Sequence, residues 1–267
     1  MKNILRSIGI LLLVTSNLFA AAAVPGFDLV WSDEFDAAAL DLKKWEFEVN
    51  ARGGGNNELQ YYVTNNVRVR DGLLTIEARK EHYTGPGGTR EYTSSRIRTK
   101  GKGDWLFGRF EIRAKLPKGQ GLWPAIWMMP TDARYGGWPN SGEIDIMELL
   151  GQQPNKVYGT LHFGDAASGH GSKGGNYTLP SGNFADQFHV FRLDWEPRQM
   201  RWYVDDKLYQ TQTDWHTRGK EFPAPFDQRF HLILNLAVGG NWPGNPQAST
   251  VFPQTMQVDY VRVYRKK

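Results

Sequence analysis

Three acidic residues stand in one short apolar run, and their types and spacing allow nucleophilic and acid–base chemistry. Glu143, Asp145 and Glu148 lie between Ser141 and Gly151. Burying carboxylates in such a run is costly unless they serve a purpose. In a strand, Glu143 and Asp145 point to one face because side chains alternate, whereas Glu148 has the opposite parity. A β-bulge between Asp145 and Glu148 would bring all three to one face, and bulges often lie beside active sites.

The bulge also predicts how far apart two of these acids lie. Glu143 and Glu148 would be about four strand steps apart, or roughly 13 Å between Cα atoms. Side chains that lean together close this gap to roughly 5–5.5 Å, at which one carboxylate attacks a sugar carbon while the other protonates the leaving oxygen. The alternative is an amphipathic strand whose acids face solvent. Apolar residues at the other positions favour acids above a packed core; they are Ile144, Ile146, Met147, Leu149 and Leu150.

The elements that would position these acids are predicted to be strands. Helical periodicity is almost absent, and short alternating runs are separated by Gly, Pro, Asn and Asp turns. Residues 201–204 lead into Asp205 and Asp206 as one arm of a hairpin would, and residues 231–238 form the continuous apolar run of a buried strand. Many short strands with frequent turns indicate an all-β antiparallel sandwich or barrel.

A secretory signal peptide is predicted over residues 1–23. Lys2 and Arg6 precede an apolar run over residues 8–14, and Ala21 and Ala23 form a small-residue cleavage site. This run is too short for a permanent membrane anchor, although an uncleaved anchor is the alternative interpretation. We therefore expect a secreted or periplasmic protein with one catalytic domain over residues 24–267, acting as a monomer without a membrane partner.

Charge and cysteine content exclude several classes of function. The formal net charge of +4 falls further when Lys2 and Arg6 are removed. So small a charge does not indicate a nucleic-acid partner or an anionic membrane surface. The chain contains no cysteine, which excludes disulfides and thiolate metal sites. Outside the cell, a large core and a bound ion would have to supply its stability.

Eight of the ten tryptophans fall into two groups. A sugar ring has an apolar face and a hydroxylated rim, so a cleft that binds it needs flat aromatic platforms with polar donors around them. Strand-like alternation places one group in the core; its members are Trp31, Trp45, Trp195 and Trp202. The other group includes tryptophans beside Gly and Pro, and these we predict to line a cleft; its members are Trp123, Trp127, Trp138 and Trp242.

From about Leu29 to Tyr264 the chain resembles the family 16 glycoside hydrolases, and within them the bacterial laminarinase-like endo-β-1,3-glucanases. Besides the ExDxxE run, the motifs that carry the resemblance are Trp31-Ser-Asp-Glu-Phe35, Asn56-Asn-Glu-Leu-Gln-Tyr-Tyr62, Ser94-Ser-Arg-Ile97, Gly121-Leu-Trp-Pro-Ala-Ile-Trp127, Gly159-Thr-Leu-His162, Asn235-Leu-Ala-Val-Gly-Gly-Asn-Trp242 and Asp259-Tyr-Val-Arg-Val-Tyr264. The bulged ExDxxE spacing resembles laminarinases and agarases, whereas lichenases have ExDxE. The resemblance implies a β-jelly-roll sandwich of two antiparallel sheets with an open cleft on its concave face.

The resemblance and the spacing together imply roles for the site residues. Glu143 is expected to be the nucleophile and Glu148 the acid/base of a retaining double displacement, with Asp145 orienting Glu143. No cofactor is needed for that chemistry. Around the acids, Trp123 and Trp127 would form the floor and Trp138 and Trp242 the rim. The sugar hydroxyls would be bound by Asn57, Glu58 and Arg96, with His162 beside the acid/base unless it is only a structural histidine.

The family also implies one structural calcium, and several functions remain open. The candidate ligands are Glu34, the carbonyl of Gly72, and Asp259, although the acids near Glu34 could simply cap a turn. The expected partner is a β-glucan polysaccharide. The alternatives are a mixed-linkage glucanase, an agarase or carrageenase, a transglycosylase, and a non-catalytic β-glucan-binding protein, which would lack the catalytic glutamates. A purely structural protein does not account for paired acids beside loop aromatics.

Overall fold

The computed structural model describes residues 23–165 and 169–267. The predicted signal peptide therefore lies outside the described residues, apart from Ala23. Ten strands occupy the first part of the described chain: β1 (Phe27–Asp33), β2 (Glu46–Phe47), β3 (Gln60–Tyr62), β4 (Val67–Arg70), β5 (Leu73–Ala78), β6 (Tyr83–Gly85), β7 (Gly88–Arg90), β8 (Tyr92–Ser94), β9 (Arg96–Arg98) and β10 (Asp104–Trp105).

Ten more strands follow: β11 (Gly108–Lys115), β12 (Leu122–Pro130), β13 (Glu143–Leu149), β14 (Lys156–Asp165), β15 (Gly169–Thr178), β16 (His189–Glu196), β17 (Gln199–Val204), β18 (Lys207–Gln212), β19 (Phe230–Val238) and β20 (Gln254–Lys266). The helical content of the described residues is two short 3₁₀ turns, Gly53–Gly55 and Thr64–Asn66. Neither is long or apolar enough to cross a membrane.

Most of the strands form two antiparallel sheets. The acid sheet has the order β15-β14-β13-β12-β19-β9-β2, with β10 beside β19, and it contains the three acids. The opposite sheet has the order β18-β17-β16-β11-β20-β5-β4, with β1 beside β20. The predicted all-β sandwich of antiparallel sheets is thus confirmed. The predicted hairpin is confirmed as well, because Asp205 and Asp206 both have positive φ, which the tight turn between β17 and β18 requires.

The core lies between the two sheets and is built by strand alternation. In β11 and β17 every second residue is buried, while the central strand β19 is buried throughout. Of the tryptophans predicted for the core, Trp45, Trp195 and Trp202 are fully buried and Trp31 is half-buried against them. This prediction is confirmed. The alternate residues of the acid sheet face away from the core, and we call that side the cleft face.

The register of the strands determines which side chains meet on the cleft face. Glu143 is paired with His162, Trp127 with Asp145, and Ala125 with both Glu148 and Asn235. Paired residues in neighbouring strands point to the same side of a sheet. Residues far apart in the sequence therefore converge around the acids of β13.

Candidate active site

A bulge in β13 brings the acids together. Asp145 is paired with Thr160 and Glu148 with Tyr158, so Ile146 and Met147 lie opposite the single residue between those partners. The register with β12 shifts at the same point. An extra residue in one strand reverses the parity of everything after it. The bulge that the acid spacing predicted is confirmed, and it places Glu148 on the same face as Glu143.

The bulge is held from the opposite sheet by a buried tryptophan. Trp202 of β17 donates its indole N–H to the carbonyl oxygen of Asp145 at 2.8 Å. Gly159, across from the bulge, makes room for this ring, because a Cβ at Gly159 would lie 2.5 Å from Trp202 Cδ1. A bulge leaves ladder groups unpaired, and an unpaired buried carbonyl costs free energy. Trp202 therefore stabilises the backbone that orients the acids.

Replacing Trp202 with Phe is expected to lower both stability and turnover. The ring volume is nearly kept, but the Asp145 carbonyl loses its donor, which costs about 1–3 kcal/mol of unfolding free energy. Urea denaturation and kcat measure the two effects. Trp195→Phe is the matched control, because its buried indole N–H has no acceptor among the described residues. Equal losses in kcat for the two variants would contradict this role of Trp202.

The three acids share a site in which charge is unfavourable. Burial, followed by the charge of Asp145, raises the pKa of Glu143, and burial raises the pKa of Asp145. Burial and then the charges of Asp145 and Glu143 raise the pKa of Glu148 well above its ordinary value. The pKa values of Glu143 and Asp145 are both raised to about 8, in each case chiefly by burial. The cluster therefore retains protons near neutral pH.

Each glutamate also accepts a hydrogen bond from a tryptophan. Trp138 Nε1 donates to Glu143 Oε2 at 2.6 Å, and Trp123 Nε1 donates to Glu148 Oε1 at 3.0 Å. The bond from Trp138 lowers the pKa of Glu143 and so favours the anion that a nucleophile requires. Trp138 was predicted as a rim platform, and its ring is 52% exposed, but its N–H group acts on the acid itself.

A braced loop holds Trp138 above the nucleophile. Ser141 accepts a hydrogen bond from the backbone N–H of Tyr135 at 3.0 Å and donates to the carbonyl of Gly136 at 2.7 Å. The Tyr135 hydroxyl donates to Asp227 at 2.7 Å, and the Gln228 amide donates to the carbonyl of Ser141 at 3.0 Å. Such internal bonds let a loop present a side chain as rigidly as a strand does.

His162 lies beside Asp145 and is paired with Glu143, whereas the sequence predicted it beside the acid/base Glu148. Its Nε2 is 3.1 Å from Asp145 Oδ2, and its side chain is 22% exposed. On its other side, Nδ1 lies 2.7 Å from His170 Nε2. One carboxylate oxygen each of Glu143 and Asp145 and one ring nitrogen of His162 all lie within 4.8 Å of one another. The ion-pair contact of His162 with Asp145 and the hydrogen bond from Trp138 to Glu143 hold these groups together as one titrating cluster.

The floor beside the acids is a tryptophan covered by an arginine. The guanidinium of Arg96 lies 4.6 Å from the ring centre of Trp127, and Arg96 also forms an ion pair with Glu48. The indole N–H of Trp127 donates to Asn235 at 2.6 Å. One face of Trp127 is thus covered by Arg96, and the role of Trp127 as cleft floor stays a prediction. Arg96 is placed on the cleft face, as predicted.

Glu58 belongs to a buried network behind this floor. Its carboxylate accepts hydrogen bonds from Gln60 at 2.7 Å and from the Tyr62 hydroxyl at 3.2 Å. Tyr62 in turn accepts one from Asn235 at 3.1 Å. Glu58 is only 9% exposed. The structure therefore gives Glu58 a supporting position, and its direct contact with a sugar stays a prediction.

The remaining predicted residues form a rim beyond Glu148. Trp242 is 42% exposed, and its ring meets Trp123 edge to face at 5.5 Å and Tyr158 at 5.1 Å. Asn57 is exposed and donates to Asn241 at 2.9 Å, which ties its turn to the loop that carries Trp242. The rim prediction for Trp242 agrees with this position, and Trp123 connects the rim to the acid.

Comparison with known proteins identifies the family. The family model for glycosyl hydrolases family 16 matches residues 55–262. This chain belongs to glycosyl hydrolases family 16. A beta-glucanase of Rhodothermus marinus is 48% identical over an alignment that covers 90% of this chain and 86% of that protein. A glucan endo-1,3-beta-glucosidase of Cryptopygus antarcticus is 45% identical, and the alignment covers 91% of this chain and 94% of that protein. The crystal structure of the laminarinase catalytic domain of Thermotoga maritima MSB8 matches with a TM-score of 0.82 at 45% identity, covering 90% of this chain and 99% of that one.

Family 16 membership confirms the resemblance seen in the sequence, the jelly-roll fold and the assignment as a glycoside hydrolase. It leaves the calcium prediction unsupported. Both oxygens of Glu34 accept hydrogen bonds from Arg262, at 3.0 and 2.7 Å, and Asp259 is paired with Arg113 at 2.5 Å. Carboxylates that are already paired with arginines are not available as calcium ligands, and Gly72 would add only one carbonyl oxygen. The residues present therefore do not fit a calcium ion.

Sequence reasoning missed several residues of this family 16 site. Trp202 was assigned to the core, correctly, but nothing in its strand pattern indicates an acceptor across the sandwich. His170 lies in a glycine-rich run that carries no chemical signal, while Tyr62 and Asn235 lie inside quoted motifs but were given no role. Each of these residues acts through a partner on another strand, which only the strand register reveals.

Proposed function

We propose that this chain is an exported, endo-acting, retaining glycoside hydrolase that cleaves β-1,3-glucosidic bonds in laminarin-type β-glucans. The observation that carries the proposal is the bulged β13, where Glu143 and Glu148 share one face and each accepts an indole N–H. The choice of β-1,3-glucan is supported by the relatives, which are named as endo-1,3-beta-glucosidase and laminarinase.

In the first step, Glu143 attacks the anomeric carbon while Glu148 gives its proton to the departing glycosidic oxygen. Trp138 donates to Glu143 Oε2, and the other oxygen, Oε1, would form the glycosyl ester. Asp145 carries the proton of this acid pair during the step, so that Glu143 is ionised. The raised pKa of Glu148 keeps it protonated at neutral pH, as a general acid requires.

In the second step, Glu148 takes a proton from water, and the water oxygen attacks the anomeric carbon while the ester bond breaks and Glu143 leaves as the carboxylate. Once Glu143 is esterified it no longer carries a charge. Because that charge is one cause of the raised pKa of Glu148, the pKa of Glu148 falls and the residue can act as a base. The chemistry uses side chains and water, so it needs no cofactor.

The surroundings favour a neutral polymer that lies across the sheet. Sulfated galactans would call for free cations, but Arg134 in the Trp138 loop lies over the ring of Tyr135 and 3.7 Å from Asp227. The segment from His82 to Tyr92, considered as a wall at one end, contains the short hairpin of β6 and β7. Its strands of three residues each are too short to close a cleft, which favours endo action.

The test is a product profile on laminarin, lichenan and agarose. We expect a ladder of oligosaccharides from laminarin, slower cleavage of lichenan and no cleavage of agarose. Proton NMR in the first minutes should show new reducing ends in the β configuration, because two displacements restore the original anomer. Glu143→Gln protein is the control for contaminating hydrolases.

Other results would replace parts of the proposal. Initial α-anomer would exclude double displacement, and glucose alone from the outset would exclude endo action. Equal rates on lichenan would favour the mixed-linkage alternative. If a short β-1,3-glucan oligosaccharide is used as the substrate, products longer than it would favour a transglycosylase. Binding of laminarin without cleavage would indicate a recognition protein. Export by the predicted signal peptide and action as a monomer in the medium or periplasm complete the proposal.

A further inference from the structure

Three aromatic rings form a stack beside the nucleophile. The ring centre of His170 lies 5.0 Å from that of His162, with 23° between their planes, and 4.8 Å from that of Trp138. His170 lies on β15, the edge strand of the acid sheet, and is paired with Gly164 in β14. It therefore shares the cleft face with His162, two residues away along β14. The stack connects an edge strand to the centre of the site.

Within the stack, His162 has both ring nitrogens engaged. Nε2 faces Asp145 Oδ2 at 3.1 Å, and Nδ1 faces His170 Nε2 at 2.7 Å. An ionised Asp145 requires a proton on His162 Nε2. If His162 is neutral, its Nδ1 is then an acceptor and His170 must donate; if His162 is cationic, Nδ1 donates and His170 must accept. The neighbour of Nδ1 must therefore be able to do both.

We propose that His170 is a positioning residue for the family 16 reaction, holding His162 against Asp145 in either protonation state of His162 and supporting Trp138 over Glu143. The inference rests on the proposed function. His170 touches none of the reacting atoms and acts through its two ring neighbours. A neutral imidazole has one donor and one acceptor nitrogen and can exchange them, so His170 can match His162 in both states.

The charged groups around the stack determine where its proton lies. Glu143, Asp145 and Glu148 face it from β13, and Asp165 is paired with Gly169, next to His170. Burial and the charge of His162 lower the pKa of His170, which favours the neutral form of His170. A positive charge on His162 faces the acids and lowers the pKa of both Glu143 and Glu148.

Losing the partner of Nδ1 should therefore change the pH profile. Without an acceptor for its Nδ1 proton, the cationic form of His162 is less favourable. Glu143 then loses a nearby positive charge, so its pKa rises. A higher pH is needed before Glu143 is ionised and can act as the nucleophile. The acidic limb of kcat/KM should move to higher pH, and a shift in the opposite direction would contradict the mechanism.

The experiment compares His170→Phe with His170→Gln. Phe keeps an aromatic ring in the stack but cannot hydrogen-bond, so kcat on laminarin should fall about fivefold to tenfold, the usual scale for one hydrogen bond. The acidic limb should rise by about half a pH unit, with KM within about twofold. Gln can donate or accept and should recover most of kcat and the original profile. His82→Phe, an exposed histidine next to β6, is the matched control.

A second readout separates this inference from the proposed function. Nitrogen-15 NMR of the imidazoles reports the protonation of His162 whether or not the protein cleaves laminarin. The His162 signals should move in His170→Phe and stay in His170→Gln and His82→Phe. Unchanged His162 signals in His170→Phe, or equal losses in the Phe and Gln variants, would overturn the inference. A wild-type protein inactive on every glucan would instead overturn the proposed function.

Discussion

Replacing Glu143 with Gln is expected to reduce kcat on laminarin by about 10⁴-fold or more. The amide keeps the shape of the side chain, and its oxygen can still accept the N–H of Trp138. It cannot form the glycosyl ester, because a neutral amide is too poor a nucleophile. Steady-state release of reducing ends measures the loss. No other single change argued above should have so large an effect.

The same substitution should leave the fold intact and slightly more stable. Burial and the charge of Asp145 already disfavour a charge on Glu143, so removing it relieves repulsion within the cluster. Glu111→Gln is the matched control, a glutamate of β11 whose pKa burial also raises but which faces Arg109 and Arg192. It should keep full activity. Near-wild-type activity in Glu143→Gln would show that the nucleophile lies elsewhere.

Replacing Glu148 with Ala is expected to reduce kcat on laminarin by about 10²–10⁴-fold, the usual contribution of a general acid–base residue. The loss should depend on the leaving group. An aryl β-glucoside with an acidic phenol needs no proton to depart, so it should still form the ester on Glu143. The substrate to use is a dinitrophenyl β-glucoside of a short β-1,3-glucan, with a burst of phenol as the signal.

Azide should then restore turnover to Glu148→Ala. A small anion can enter the space left by the side chain and attack the ester without a general base, so the product should be a β-glycosyl azide. Glu143→Gln gives the control, because it forms no ester and azide cannot rescue it. An α-glycosyl azide, or rescue of both variants alike, would contradict the assignment of acid/base and nucleophile.

The parts of the site that sequence reasoning predicted depend on local geometry. Strand parity determines the faces of Glu143 and Asp145, and the same rule requires a bulge before Glu148; the register confirms it. Alternation also placed Trp195 and Trp202 in the core. These results follow because a strand has a fixed period of two, so spacing along the chain translates directly into direction in space.

The parts that could not be predicted depend on where separate segments meet. A tryptophan beside glycine and proline is predicted to be an exposed sugar-binding platform. In the structure, the indole N–H of Trp138 instead donates to Glu143, because hydrogen bonds to Asp227 and from Gln228 fix the loop that carries it. Arg96 covers Trp127 because β9 and β12 both flank β19. Motif matching suggested calcium ligands near the termini, but it cannot show that arginines already neutralise Glu34 and Asp259.

The bond from Trp202 to the bulge also bears on how such an enzyme would fail when heated. Because the donor belongs to the opposite sheet, the acids are aligned only while both layers stay packed. A partly opened sandwich would release the Asp145 carbonyl and with it the spacing of the glutamates. Loss of hydrolysis should therefore coincide with cooperative unfolding, with no loosened but active form in between. An exported hydrolase built in this way would be switched off as soon as it became vulnerable to proteases.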